Sequence, residues 1–146
     1  SPASLLGPGP PPARRSSGPG GPGGSGTVII HTDAINIYND MTLESNAYTS
    51  QADPTTIRII MDEYTSTGSS TLNTDIKAYA SRDNGTTYTQ ITLASQGTIE
   101  TNHRLLSGSV DISGQPSGTS MKFKIETLNQ SASKQTRVYG TSMAWA

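Results

Sequence analysis

The chain has 146 residues and no cysteine. Disulfides and thiolate metal sites are therefore excluded, and the fold must rest on packing or on association. Charge is also scarce, at 14 % of residues. Arg14 and Arg15 lie near the start, so residues 27–146 hold eight bases against 11 acids. That balance gives no electrostatic attraction to nucleic acid or anionic membrane. No apolar run approaches the roughly 18 residues of a helical membrane span, so no membrane insertion is expected. The two histidines, His31 and His103, stand alone, without a cysteine or a second histidine at ligand spacing. No metal and no cofactor are expected.

Proline and glycine are unevenly spread. Beyond residue 26 the only prolines are Pro54 and Pro116, whereas residues 7–26 read GPGPPPARRSSGPGGPGGSG. This composition buries too little apolar surface to offset its ordering entropy. Gly18, Gly21 and Gly24 keep a three-residue register, but for too few triplets to support a triple helix. Residues 1–26 are expected to be a Pro/Gly-rich arm or linker, and 27–146 one domain.

That domain is rich in Thr, Ser, Ile and Tyr, which suit half-buried pleated surfaces. Short alternating runs recur between turn residues: TVII (27–30), AINIY (34–38), MTLES (41–45), TIRIIMDEY (56–64), DIKAYAS (75–81), TYTQITL (87–93), HRLLSGSVDI (103–112), SMKFKIETL (120–128) and TRVYGTSMAWA (136–146). In the eighth, Met121, Phe123 and Ile125 should face inward, and in the last Tyr139, Met143 and Trp145 share a parity. No window keeps a helical period. The expected fold is all-β: an antiparallel β-sandwich, jelly-roll-like, with the Pro/Gly-rich arm at its N-terminus.

One stretch, SRDNGTTY at 81–88, sets Ser81, Asp83, Gly85, Thr87 and Tyr88 at fixed spacing. It resembles the Asp-box, a β-hairpin motif of sialidases and of many secreted or surface β-proteins. Asp83 is suited to accept N–H groups of its own turn, and Asn84-Gly85 supplies positive φ. Ser81 and Thr87 should bond across facing strands, and Tyr88 should pack the hairpin on the core. Each residue has a structural job, so the motif reads as a folding device. In sialidases it lies away from the catalytic centre.

Catalytic patterns are lacking. Asp62 and Glu63 are adjacent, so on a strand they point to opposite faces and cannot act as a pair. Asp33, Asp40, Asp53 and Asp111 lack the dense spacing of a calcium loop. The chain is not expected to be an enzyme. Tyr38, Tyr48, Tyr64 and Tyr79 are the residues offering stacking faces to a glycan.

Three segments, NDMTLESNAYTSQADPT (39–55), TLNTDIKAYASRDNGTTYTQITL (71–93) and SGSVDISGQPSGTSMKFKIETLNQSASKQTRVYGTSMAWA (107–146), together resemble a C-terminal module of tail and tail-fibre proteins in tailed phages, marine ones especially. The resemblance implies a virion structural role, at the exterior of a fibre or appendage and assisting host attachment. Partners would be other virion proteins, copies of itself as a homotrimer, and a host surface glycan. Two alternatives stand beside it. One is a capsid decoration protein with residues 1–26 laid along neighbouring subunits; the other is an extracellular carbohydrate-binding module.

Overall fold

The alternation read in TIRIIMDEY becomes a long strand with one dry side and one wet side. Ile57, Ile59, Met61 and Glu63 are buried, while Arg58, Asp62 and Tyr64 are not. The computed structural model describes residues 26–30 and 39–146. The arm, the AINIY run, His31, Asp33 and Tyr38 lie outside the described residues.

Ten strands follow in order: β1 (Gly26–Ile30), β2 (Met41–Glu44), β3 (Tyr48–Thr49), β4 (Thr56–Thr67), β5 (Ile76–Ser81), β6 (Thr89–Ile91), β7 (Ala94–Glu100), β8 (His103–Asp111), β9 (Ser120–Thr127) and β10 (Gln135–Trp145). They form two antiparallel sheets. The first is ordered β1-β10-β4-β8-β7; the second is ordered β2-β9-β5-β6, with β3 also paired to β9. Without β3 and β7, each sheet has four strands. With those two set aside, six of the seven connections pass between the sheets, and β10 returns to lie between β1 and β4. This is the double Greek key of a jelly roll, so the expected all-β antiparallel sandwich is the observed one.

The core lies between the sheets. Ile57, Ile59 and Met61 of β4 face Ala78 and Ala80 of β5, with Met121, Phe123 and Ile125 of β9 and Met143 of β10 beside them, all essentially inaccessible. Phe123, the single phenylalanine, is wholly buried. Alanines at 78 and 80 let the sheets approach where Phe123, paired with Ala80, fills the space.

Three features depart from the sequence reading. The TYTQITL run yields only the three residues of β6. Strand β7 was not anticipated: ASQGTIE has no alternation to betray it, and all seven of its residues are exposed. The third concerns parity in β10. Met143 and Trp145 are buried as expected, but Tyr139 is not. Val138 pairs with Glu63 and Thr141 with Met61, so Tyr139 and Gly140 together stand opposite Asp62. This bulge shifts the phase by one residue and turns Tyr139 outward.

Candidate functional site

The 81–88 segment joins β5 to β6, whose strands pair through Ala78–Ile91, Tyr79–Gln90 and Ala80–Thr89. Ser81 is fully buried, and its hydroxyl donates to Asp83 Oδ1 at 2.7 Å. Ser81 Oγ itself accepts the N–H groups of Asp83 at 3.2 Å and Gly85 at 2.9 Å. Asp83 Oδ1 in turn accepts the Thr87 N–H at 2.8 Å. Burial pushes the Asp83 carboxyl up, but hydrogen bonds from Ser81 and Thr87 outweigh it and hold the group below the usual carboxylate range. Asn84 and Gly85 have φ of 62° and 84°, the left-handed conformations expected of them.

Two details of the hairpin differ from expectation. Ser81 bonds within its own turn rather than across to Thr87, because the facing strand begins only at Thr89 and Thr87 still belongs to the turn. Tyr88 packs on the outer face of the second sheet, not on the core. There its hydroxyl meets Glu44, and its ring stands edge-on to Tyr79 at 6.4 Å.

Sequence reasoning missed Arg82, which occupies one of the motif's undefined positions. It is 6 % exposed. Its guanidinium donates to the carbonyls of Pro54, Ser113, Gln115 and Pro116 at 2.6–3.2 Å. Gln115 completes the clasp: its side chain accepts the Arg82 N–H at 2.9 Å and donates to the Ala80 carbonyl at 2.9 Å. The hairpin is thereby tied to the loops before β4 and after β8.

The tyrosines do not converge. Tyr48 is half-buried against the rim of the core, opposite Met121. Tyr79 and Tyr88 lie on the outer face of the second sheet with Lys124 Nζ at 4.6 and 4.5 Å from their ring centroids. Tyr79 donates to Glu126 at 2.8 Å. Burial, then that bond, pushes its hydroxyl up to about 12; burial and Glu44 push Tyr88 up likewise. This face is internally satisfied.

Tyr64 lies on the opposite outer face. Its ring is 5.9 Å from His103 and 6.2 Å from Tyr139, with the Arg137 guanidinium 5.6 Å above it. His103 Nε2 is 3.7 Å from Asp62, and neither it nor Arg137 Nε has a hydrogen-bond partner among the described residues. A hollow of about 220 Å³ adjoins, lined by Ile60, Leu105 and the bulge residue Gly140 among others. Asp62 and Glu63 do point to opposite faces: Glu63 is fully buried and bonded to Arg104 at 2.7 Å.

Among the described residues, no three His, Asp or Glu side chains gather as metal ligands would. Asp40 accepts the N–H of Gln130 from the β9–β10 connection, and Asp111 accepts the N–H of Ser113 two residues on. No helix among the described residues is long and apolar enough to cross a membrane. Comparison with family models, curated proteins and solved structures found no match to this chain.

Proposed function

We propose that this chain is a non-enzymatic structural module on the exterior of a tailed-phage virion, carried on a tail fibre or appendage and assisting attachment to the host. The observation that carries this reading is topological. Residues 39–146, which contain the three segments resembling tail-fibre modules, supply every strand of the jelly roll except β1. The jelly roll is an architecture that recurs in viral capsid and lectin domains. Fold alone does not assign function, so the resemblance and the topology support the reading jointly. Partners on this reading are other virion proteins and copies of the chain in a homotrimer.

A second reading, capsid decoration, draws on one feature. The Pro/Gly-rich stretch runs directly into β1, an edge strand of the first sheet. A sheet edge is open to pairing with another chain, and on this reading the arm would carry that pairing to neighbouring subunits. Gold-labelled antibody against residues 39–146, imaged on intact particles whose genome encodes the chain, tests both. Label on the tail or its fibres supports the attachment module. Label over the capsid replaces it with decoration, and particles without label overturn both.

A further inference from the structure

Strand β4 and the loop after it meet the β7–β8 hairpin at one end of the first sheet, and a cavity of about 230 Å³ opens there. Thr65, Ser70, Thr98, Asn102 and Arg104 contribute to its wall. Strand register brings polar groups to its wall. Arg104 and Glu63 are register partners on β8 and β4, and both turn inward, so a charged pair sits at the edge of the core. Glu63 is fully buried; Arg104 bonds it through Nε at 2.7 Å and reaches the Ser70 carbonyl through Nη2 at 3.1 Å. Its Nη1 makes no hydrogen bond among the described residues.

Ser70 supplies the second observation. It is 7 % exposed, and its hydroxyl has neither access to solvent nor a hydrogen-bond partner among the described residues, so a ligand in the cavity meets it once the hydroxyl turns about its single side-chain torsion. A buried hydroxyl left unpaired costs free energy in the folded chain, and native structures leave few such groups without a reason. One ordered water does not account for the space: at ~30 Å³ per water, the cavity has room for about seven. It falls below the ~300 Å³ at which drug-sized pockets begin, which sets the occupant at a single small unit.

The chemistry of the wall narrows that occupant further. Arg104 is already neutralised by Glu63, so there is no surplus positive charge for a carboxylate or phosphate and no surplus negative charge for a cation. What remains are hydroxyls and an amide, which both donate and accept, and one guanidinium N–H. A neutral molecule dense in hydroxyls matches this set. We propose that the cavity is a binding site for one neutral sugar residue, held by Ser70, Thr98, Asn102 and Nη1 of Arg104. For its biological setting the proposal rests on the attachment reading, and it gives that reading a ligand class and a place whose lining includes none of Tyr48, Tyr64 and Tyr79.

The test uses the full chain, with amide shifts followed by NMR during titration with glucose, galactose, mannose and N-acetylglucosamine, and with acetate as the anionic probe. At least one sugar is expected to move the amides of Ser70, Thr98 and Asn102. Ser70→Ala and Asn102→Gly should each weaken that sugar by about tenfold, the loss of one hydrogen bond. Glycine suits position 102, where φ is 62°. Thr98→Val, on the exposed edge strand, serves as a third variant if either of the others fails to fold. The proposal is overturned if no sugar moves these amides, if acetate alone does, or if every folded variant binds as the parent does. Sugar binding without particle label would keep the cavity and remove the virion reading; label without sugar binding would do the reverse.

Discussion

Ser81 and Ser70 are both buried serines, one at the end of β5 and the other in the loop after β4, yet their surroundings are opposite. Ser81 uses its hydroxyl three times, toward Asp83 and two turn N–H groups. Ser70 uses its hydroxyl for nothing within the described chain. The neighbouring arginines differ in the same sense. Arg82 is sated by four carbonyls, while Arg104 keeps an Nη facing no partner. Polar groups that are fully paired stabilise the native state, whereas unpaired ones cost stability and are available to something else. The hairpin therefore belongs to folding, whereas the cavity wall keeps one of the buried groups that lack a partner among the described residues.

The contrast can be broken by mutation, beginning with the largest expected effect. Arg82→Ala should destabilise the domain by about 4 kcal/mol, because it strands four carbonyls in a buried clasp. Urea unfolding reads this directly, and a loss under about 1 kcal/mol would mean that the clasp does not hold the hairpin. Ser81→Ala should cost about 2 kcal/mol. Asp83→Ala should cost about 1–2 kcal/mol, without loss of any sugar binding. The two should be strongly non-additive, since their side chains share a hydrogen bond. If Asp83→Ala kept its stability and lost a ligand, the hairpin would be a site after all.

A pH series sharpens the same point. Asp75 is only 2 % exposed, and burial pushes its carboxyl up. Hydrogen bonds from Lys134, Thr71 and Asn129 prevail and hold it at about 2, against 3.8 for the ordinary group. Because the folded value is depressed, the stability it confers is present above 3.8 and is lost as pH falls toward 2. Asp83, also depressed, adds to that loss in the same direction. Thermal unfolding between neutral pH and pH 2 should show a falling midpoint, shallower in Asp75→Asn; an unchanged slope in that variant would exclude Asp75 as a source. The smallest effect is expected at the cavity. Ser70→Ala should change stability by less than about 0.5 kcal/mol, or raise it slightly, since it removes an unpaired hydroxyl. A large loss there would show that Ser70 has a structural partner.

Much of the fold was legible because β4 and β9 alternate cleanly, with Met121, Phe123 and Ile125 inward as read. The hairpin was legible in its residue types, since Asp83 and Asn84-Gly85 carry their conformational preferences locally. Its surroundings were not. Arg82 sits at an unspecified position of the motif, and its partners come from Pro54 and from residues 113–116, which no local pattern links to it. Nor did the tyrosines reveal their separation. Tyr64 and Tyr79 read alike in sequence, but the two sheets turn them to opposite outer faces. The cavity depends on register: the pairing of Glu63 with Arg104 and the bond from the Thr65 N–H to the Asn102 carbonyl bring the 65–70 and 98–104 segments together.

The bulge at Tyr139–Gly140 has a consequence for how β10 tolerates change. It divides the strand into two halves of opposite phase, with Thr136 and Val138 buried on one side of it and Thr141, Met143 and Trp145 on the other. Substitutions are absorbed one side chain at a time. Deleting a single residue at the bulge would cancel the phase jump, and one half of the strand would have to turn over, sending either Val138 or the Met143–Trp145 pair into water. Length, more than identity, is what this strand must keep.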